Sequence, residues 1–384
     1  MPPRQDFRDP DLVNVAAPQR AGRMSASTNP MTTRLFGTLV VMVLAALTLD
    51  AQRATYRVPR TPDGQPDLQG FWSNSTYTPL ERPDNVTKEF YTPDEAAAFE
   101  KAAAAREAAQ TEPGTVADVH YDFSQFGLDR SQSTLARSLR TSLIVDPPNG
   151  KLPPITAEGK RILAARAEEA KRLGGRWDSA QSNQLDDRCI IMAGPGPPMM
   201  DAAYNSNYHI VQAPGYVMIL TEMIHDVRII PLDASTRREP RSRPEEGQAS
   251  GSPRAESRGD GRLNAPDRLR QWMGVSRGRW DGDTLVIETT NFNGKNPFRG
   301  STENLRVTER LRRVADDTIE YNFTVEDRSM WERPWSAEAL MRKTSGPLFE
   351  HACHEGNYGL YNTLVGARRE EQQAAEAAAK KDSK

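Results

Sequence analysis

The chain has 384 residues, 27% of them charged and 37% hydrophobic, with a formal net charge of -2, ordinary proportions for a globular protein. So balanced a charge excludes a global field that would gather nucleic acid or an anionic membrane surface. The length suits one large domain or two modest ones, and 28 prolines favour strands, turns and irregular segments over a helical bundle.

The first element in chain order is a leader. Met31-Thr-Thr-Arg34 gives a short basic start, Leu35 to Leu49 is an unbroken apolar run, and Ala51 follows at a cleavage-type position. A run of about 15 apolar residues is the length of a signal peptide and falls short of a bilayer span. We therefore expect residues 1–51 to be a signal region, with 1–30 a start-site misassignment and the remainder exported to the periplasm or beyond. No long apolar run follows residue 50, so no membrane span is expected after the signal is removed. In an oxidising compartment the two cysteines, Cys189 and Cys353, read as one disulfide.

The body is expected over residues 60–368 as a single β-rich domain. Pro66 to Ser73 reads as its first strand. Thr92-Pro93-Asp94-Glu95 is a helix start, with a Thr cap, proline at the first position and Glu at the third, and the pattern runs to about Gln110. Leu139–Val145 is strand-like. A second helix opens at Thr156 and stops near Leu173, before Gly174-Gly175. Tyr208–Gln212 and Tyr216–Leu220 flank Ala213-Pro-Gly215 as a hairpin, and Val227–Pro231 is a third short strand. Residues 234–264 lose large apolar side chains and become rich in Arg, Glu, Ser, Pro and Gly, the composition of a disordered insertion. Its seven Arg are interleaved with five acids and no aromatic, so a nucleic-acid partner is not expected.

Strands resume at Trp280. Thr284–Thr290 follows the Asp281-Gly282 turn signal. Leu305, Val307, Glu309 and Leu311 then alternate with Arg306, Thr308, Arg310 and Arg312. After Asp316-Asp317, Ile319, Tyr321, Phe323 and Val325 alternate with Glu320, Asn322, Thr324 and Glu326. A period of two over so many residues means a sheet with one buried and one polar face, and arginines facing glutamates across the hairpin. Leu348 to Glu355 also reads as a strand, and residues 369–384 form a charged, Ala-rich tail. The expected fold is mainly β, antiparallel, barrel-like or sandwich-like, with two or three peripheral helices.

Several segments carry a resemblance: Pro66-Asp-Leu-Gln-Gly-Phe-Trp72, Gln212-Ala-Pro-Gly-Tyr216, Ser276-Arg-Gly-Arg-Trp280, Asp283-Thr-Leu-Val286, Arg333-Pro-Trp335 and Cys353-His-Glu-Gly-Asn-Tyr358. Together they resemble a large family of exported bacterial proteins of uncharacterised activity, over most of residues 60–368. The resemblance implies export and a β-rich body and supplies no catalytic residue. Gly70-Phe71-Trp72 is also similar to the Gly-x-Trp of the first strand in lipocalin-like barrels, which implies a meander around a ligand pocket.

Chemistry is less legible. No Gly-x-Ser-x-Gly elbow, His-Glu-x-x-His pair or phosphate loop is present. His225 with Glu222 and Asp226, and His354 with Glu355, are candidate acid/base clusters, because a histidine beside a carboxylate suits proton transfer. The alternative is a structural network capping the sheet. Trp72, Trp280, Trp335, Asn357 and Tyr358 are candidate ligand contacts, with core packing as the alternative for the tryptophans, Trp272 and Trp331 included. No metal site and no cofactor are expected. The leading functional expectation is a small apolar or amphipathic ligand in a barrel pocket. The alternatives are a hydrolase or lyase at the His/carboxylate clusters, or an envelope interaction module without a pocket.

Overall fold

The computed structural model describes residues 56–110, 135–173, 178–192, 196–202, 205–233, 269–355 and 357–382. The chain divides into two units, residues 1–55 and Tyr56–Lys384, and every described residue belongs to the second. The signal region and the 234–264 insertion lie outside the described residues.

Ten antiparallel strands form one sheet. They are β1 (Gly70–Ser73), β2 (Ile144–Asp146), β3 (Asn207–Ala213), β4 (Tyr216–Thr221), β5 (Val227–Pro231), β6 (Val275–Asp281), β7 (Thr284–Thr290), β8 (Arg306–Ala315), β9 (Thr318–Glu326) and β10 (Trp335–Thr344). The hydrogen-bonded order is β5-β4-β3-β1-β10-β9-β8-β7-β6, with β2 paired to β10 off this path. Two meanders, β3–β5 and β6–β10, are thus joined through the short β1, which pairs with both β3 and β10. The sheet curls until its end strands meet, among the described residues at one parallel bridge, Leu232 with Gly278, and one bond from the Asp233 amide to the Gly278 carbonyl, 2.9 Å. A side chain at residue 278 would sit 2.7 Å from Leu232 and 2.9 Å from Ile230, so glycine permits this approach. The sheet is not closed into a barrel, and the sandwich-like alternative is the one that holds.

The period-two pattern places the core. Val307, Glu309 and Leu311 of β8 and Ile319, Tyr321, Phe323 and Val325 of β9 are buried, while Arg306, Arg310 and Arg312 face solvent. Arg312 lies opposite Glu320 and bonds it at 3.3 Å, the cross-strand ladder expected from the sequence. Ile210, Val217, Ile219 and Ile230 of the other meander enter the same core. One end is plugged by Trp72, whose Nε1 donates to the Leu68 carbonyl at 2.9 Å. The Arg313 guanidinium lies over that ring at 5.7 Å and donates to the carbonyls of Asp67, Ala315 and Asp316.

Three α-helices occur among the described residues: α1 (Pro93–Gln110), α2 (Ala157–Arg172) and α3 (Tyr358–Asp382). The α1 capping box forms as expected: the Glu95 amide donates to Thr92 Oγ1 at 3.3 Å, and the Thr92 amide donates to Glu95 Oε2 at 2.8 Å. Thr156 caps α2 by accepting from the Gly159 amide at 2.8 Å. No described helix is long and apolar enough to cross a membrane.

Two strand assignments from the sequence are corrected. Leu348 to Glu355 is not a strand. It is a strap without regular structure that follows Gly346-Pro347, where a side chain at residue 346 would lie 2.5 Å from the Phe71 ring. The strand of this region is β10, Trp335–Thr344, whose buried Trp335, Ala337, Ala339 and Met341 alternate with half-buried polar positions and Leu340. Only Ile144 and Val145 of the strand-like piece Leu139–Val145 enter β2, because its earlier part bonds to loop carbonyls at Pro79 and Glu89.

Candidate functional site

Side chains fill the inside of the curled sheet. At its centre is a polar cluster. Arg228 of β5 donates to Glu309 of β8 through two nitrogens, at 2.5 and 3.1 Å, with both side chains almost wholly buried. The same guanidinium reaches Ser276 Oγ at 3.2 Å and Thr289 Oγ1 at 3.4 Å, and these hydroxyls bond each other at 2.9 Å. Tyr321 Oη donates to Glu309 Oε1 at 2.8 Å and accepts from the Met199 amide at 2.8 Å. Burial, with the Glu309 charge adding to it, pushes the Tyr321 pKa well above its ordinary value; burial likewise raises that of Tyr208. Burial alone would lower the Arg228 pKa, but Glu309 holds it above the usual arginine value.

This cluster also fixes a loop. Asn74 Nδ2 donates at 3.3 Å to the Met199 carbonyl and at 3.3 Å to Tyr208 Oη. Residues 196–201 are therefore pinned from beneath by Tyr321 and Asn74. Their far side forms one wall of a cavity of about 330 Å³ at the end of the sheet away from Arg313. Met192, Met200, Trp272, Phe292, Phe298 and Leu305 give it an apolar lining. Phe292 and Leu305 belong to the core, and Phe298 stacks on Trp335 with ring centroids 6.1 Å apart, so the cavity floor is continuous with the packed interior. Asp201, Asn296 and Arg299 supply polar groups, with Asp201 Oδ1 held by Ser206 Oγ at 2.7 Å. Apolar and polar surface share the lining about equally, and the volume is at the small end of the range for small-molecule pockets.

The candidate acid/base residues lie elsewhere. Glu222 is buried; its Oε2 accepts from Asn207 Nδ2 at 2.5 Å and its Oε1 from the Phe349 amide at 2.9 Å, so it ties the strap to β4. His225 is exposed on a short turn with φ 59°, and Asp226 is half-buried with its carboxyl pKa raised by burial. His354 and Glu355 are exposed on the strap. The His225 amide donates to the Glu222 carbonyl at 3.1 Å, a turn contact that leaves imidazole and carboxylate apart, and no group of three or more metal-ligating side chains occurs among the described residues.

Among the candidate ligand contacts, Trp72 and Trp335 are fully buried in the core and Trp280 packs against it. Asn357 donates to the Asp187 carbonyl at 2.8 Å and to Cys189 Sγ at 3.3 Å, and accepts from the Leu360 amide as the cap of α3; Tyr358 is exposed beside it. Cys189 and Cys353 form the expected disulfide, with Cα atoms 5.7 Å apart. Apart from Trp272, sequence reading passed over the cavity residues. The signal for them was the clustering of Gly194–Pro198, Trp272 and Asn291-Phe-Asn293, glycine- and proline-rich loops carrying aromatics at strand ends.

No protein-family model, curated protein or solved structure matches this chain. The family resemblance therefore stands on its sequence segments alone.

Proposed function

We propose that this chain is an exported binding protein for a small amphipathic molecule, held in the cavity between the 196–201 loop and Phe298. The observation that carries the reading is the lining: two thioethers and three aromatic rings over a core floor, with Arg299, Asn296 and Asp201 as polar groups. An apolar body would displace water from the lining, and one charged or hydrogen-bonding head would reach the polar groups. The wall needs little reordering on binding, because Met199 is already fixed by Tyr321 and Asn74, and a preorganised wall lowers the cost of association. Export is supported by the apolar run Leu35 to Leu49 and by a disulfide suited to an oxidising compartment.

The test uses anilinonaphthalene sulfonate, an aromatic body with an anionic head, titrated into the folded protein and followed by its fluorescence. One saturable site is expected, weakened at least tenfold by Trp272→Ala and by Met200→Ala, and unchanged by Tyr361→Ala on the exposed face of α3. Equal binding by the wild type and both cavity variants would rule the pocket out. Native mass spectrometry of protein purified from the periplasm then identifies the natural occupant.

A further inference from the structure

Helix α3 has two long faces. Leu360, Thr363, Leu364 and Ala367 recur at helical spacing, are half-buried or buried, and turn to the body, where Thr363 bonds Asn183 at 3.3 Å. A second row turns away from it: Tyr358, Tyr361 and Val365 are 72, 66 and 46% exposed. Three large apolar side chains in one exposed row are the mark of a contact surface. From Arg368 to Lys381 every residue is exposed, so the second half of this 25-residue helix, about 37 Å long, leaves room beside it for another chain. We infer that α3 is a self-association helix, through which two copies of this chain pair antiparallel.

The row itself names the occupant and its direction. It continues from Val365 at alternating spacings of three and four residues, through Arg368 and Gln372 to Ala375 and Ala379, the pattern of a two-helix seam. Its side chains are large in the first half and small in the second. Turned antiparallel about Glu370, each copy sets Tyr361 against Ala379 and Val365 against Ala375 of the other, large into small. A parallel pair would crowd tyrosine on tyrosine and leave alanine facing alanine. Charge divides the same way. Before Glu370 the helix carries Arg368 and Arg369 and no acid, while from Glu370 to Lys381 three glutamates outnumber two lysines. Opposite halves therefore attract and like halves repel. The two polar residues in the middle of the row already have partners in their own chain: Arg368 pairs with Glu371 at 3.0 Å and donates to the Asp178 carbonyl, and Gln372 donates to Glu376 at 3.4 Å. They bring no unpaired charge to the seam.

The experiment is sedimentation velocity of the full chain over a range of concentrations, joined to cross-linking. A concentration-dependent dimer is expected, weakened at least tenfold by Tyr361→Glu and unchanged by Glu370→Gln, which lies away from the seam. Val365→Cys and Ala375→Cys chains, made separately, mixed and treated with a short bismaleimide, are expected to join to each other faster than either joins to itself. The native cysteines are held in their disulfide and do not compete. A monomer even at millimolar concentration overturns the inference, and so does a Tyr361→Glu dimer as tight as the wild type. Val365→Cys chains that join to themselves as fast as to Ala375→Cys chains would mean a parallel pair and overturn it as well. All the altered side chains are exposed, so folding of the variants, checked by thermal melts, is not at risk. None of these results bears on the end cavity.

Discussion

Arg228 and Glu309 meet across the interior of the sheet, from strands that are not neighbours, as a two-point ion pair sealed from solvent. A charge pair so placed ties β5 of one meander to β8 of the other. It does so without being the strongest available packing, because the desolvation of both ions offsets much of their attraction. Removing one partner leaves a buried charge with no counter-ion. Glu309→Ala is therefore expected to lower unfolding free energy by about 3–5 kcal/mol. The double change Arg228→Met with Glu309→Leu should recover most of that loss. Chemical denaturation of the three proteins decides the matter, and a double variant no better than Glu309→Ala would refute this account.

Tyr321 makes the same cluster sensitive to alkali. Its pKa in the folded protein is raised, while in the unfolded chain it ionises near the ordinary value of about 10. Below that value both states hold the proton and the group contributes no pH dependence. Above it the unfolded state loses the proton and the folded state does not, so stability falls as pH rises. Tyr208 adds a second loss of the same sign. Urea denaturation between pH 9 and pH 11 should show a slope that is shallower in Tyr321→Phe than in the wild type. An unchanged slope would place the alkaline sensitivity elsewhere.

How much of this was legible in the sequence depends on the length of the signal. The β8–β9 hairpin, the β3–β4 turn, the bounds of β5 and both capped helices are local patterns and were readable. Glu309 was even placed on the apolar face of its strand. Its partner, however, lies 81 residues earlier on β5, and no local pattern links the two. The strap at 348–355 has alternating chemistry but no strand beside it to complete a ladder, and its Phe349 amide bonds a carboxylate instead. The candidate histidines failed to converge for a similar reason: sequence neighbours of a carboxylate need not share its face or its burial, and Glu222 is inside while His225 is outside.

Gly346, just before that strap, is a sensitive point. It has φ 62°, a conformation that costs other residues roughly 1 kcal/mol, and a Cβ there would lie 2.5 Å from the Phe71 ring. Phe71 itself stacks on His209 with centroids 4.2 Å apart, which limits its retreat. Gly346→Ala should lower stability by about 1–3 kcal/mol through overpacking and backbone strain together. Gly346→Ala with Phe71→Ala relieves only the steric part. A lone Gly346→Ala variant as stable as the wild type would show that the strap is free to move away.

The disulfide has two separable effects. It closes a loop with a sequence separation of 164, which restricts the unfolded chain, and its removal is expected to cost about 2–5 kcal/mol. It also anchors α3. That helix is exposed along most of its length, with Ala367 its only buried residue among those described, and its ties to the body include the Asn357 cap to Asp187, Thr363 Oγ1 to Asn183 Oδ1 at 3.3 Å, and Arg368 to the Asp178 carbonyl. A helix that buries so little apolar surface gains little from packing. The Cys189→Ser, Cys353→Ser variant should therefore release α3 before the sheet unfolds. Limited trypsin digestion should cut at Arg368 and Arg369 faster in that variant than in the wild type, while the β6–β10 meander stays protected. Loss of stability with unchanged cleavage at α3 would assign the whole effect to the unfolded chain, and faster cleavage throughout would mean that the bond holds the sheet as well as the helix.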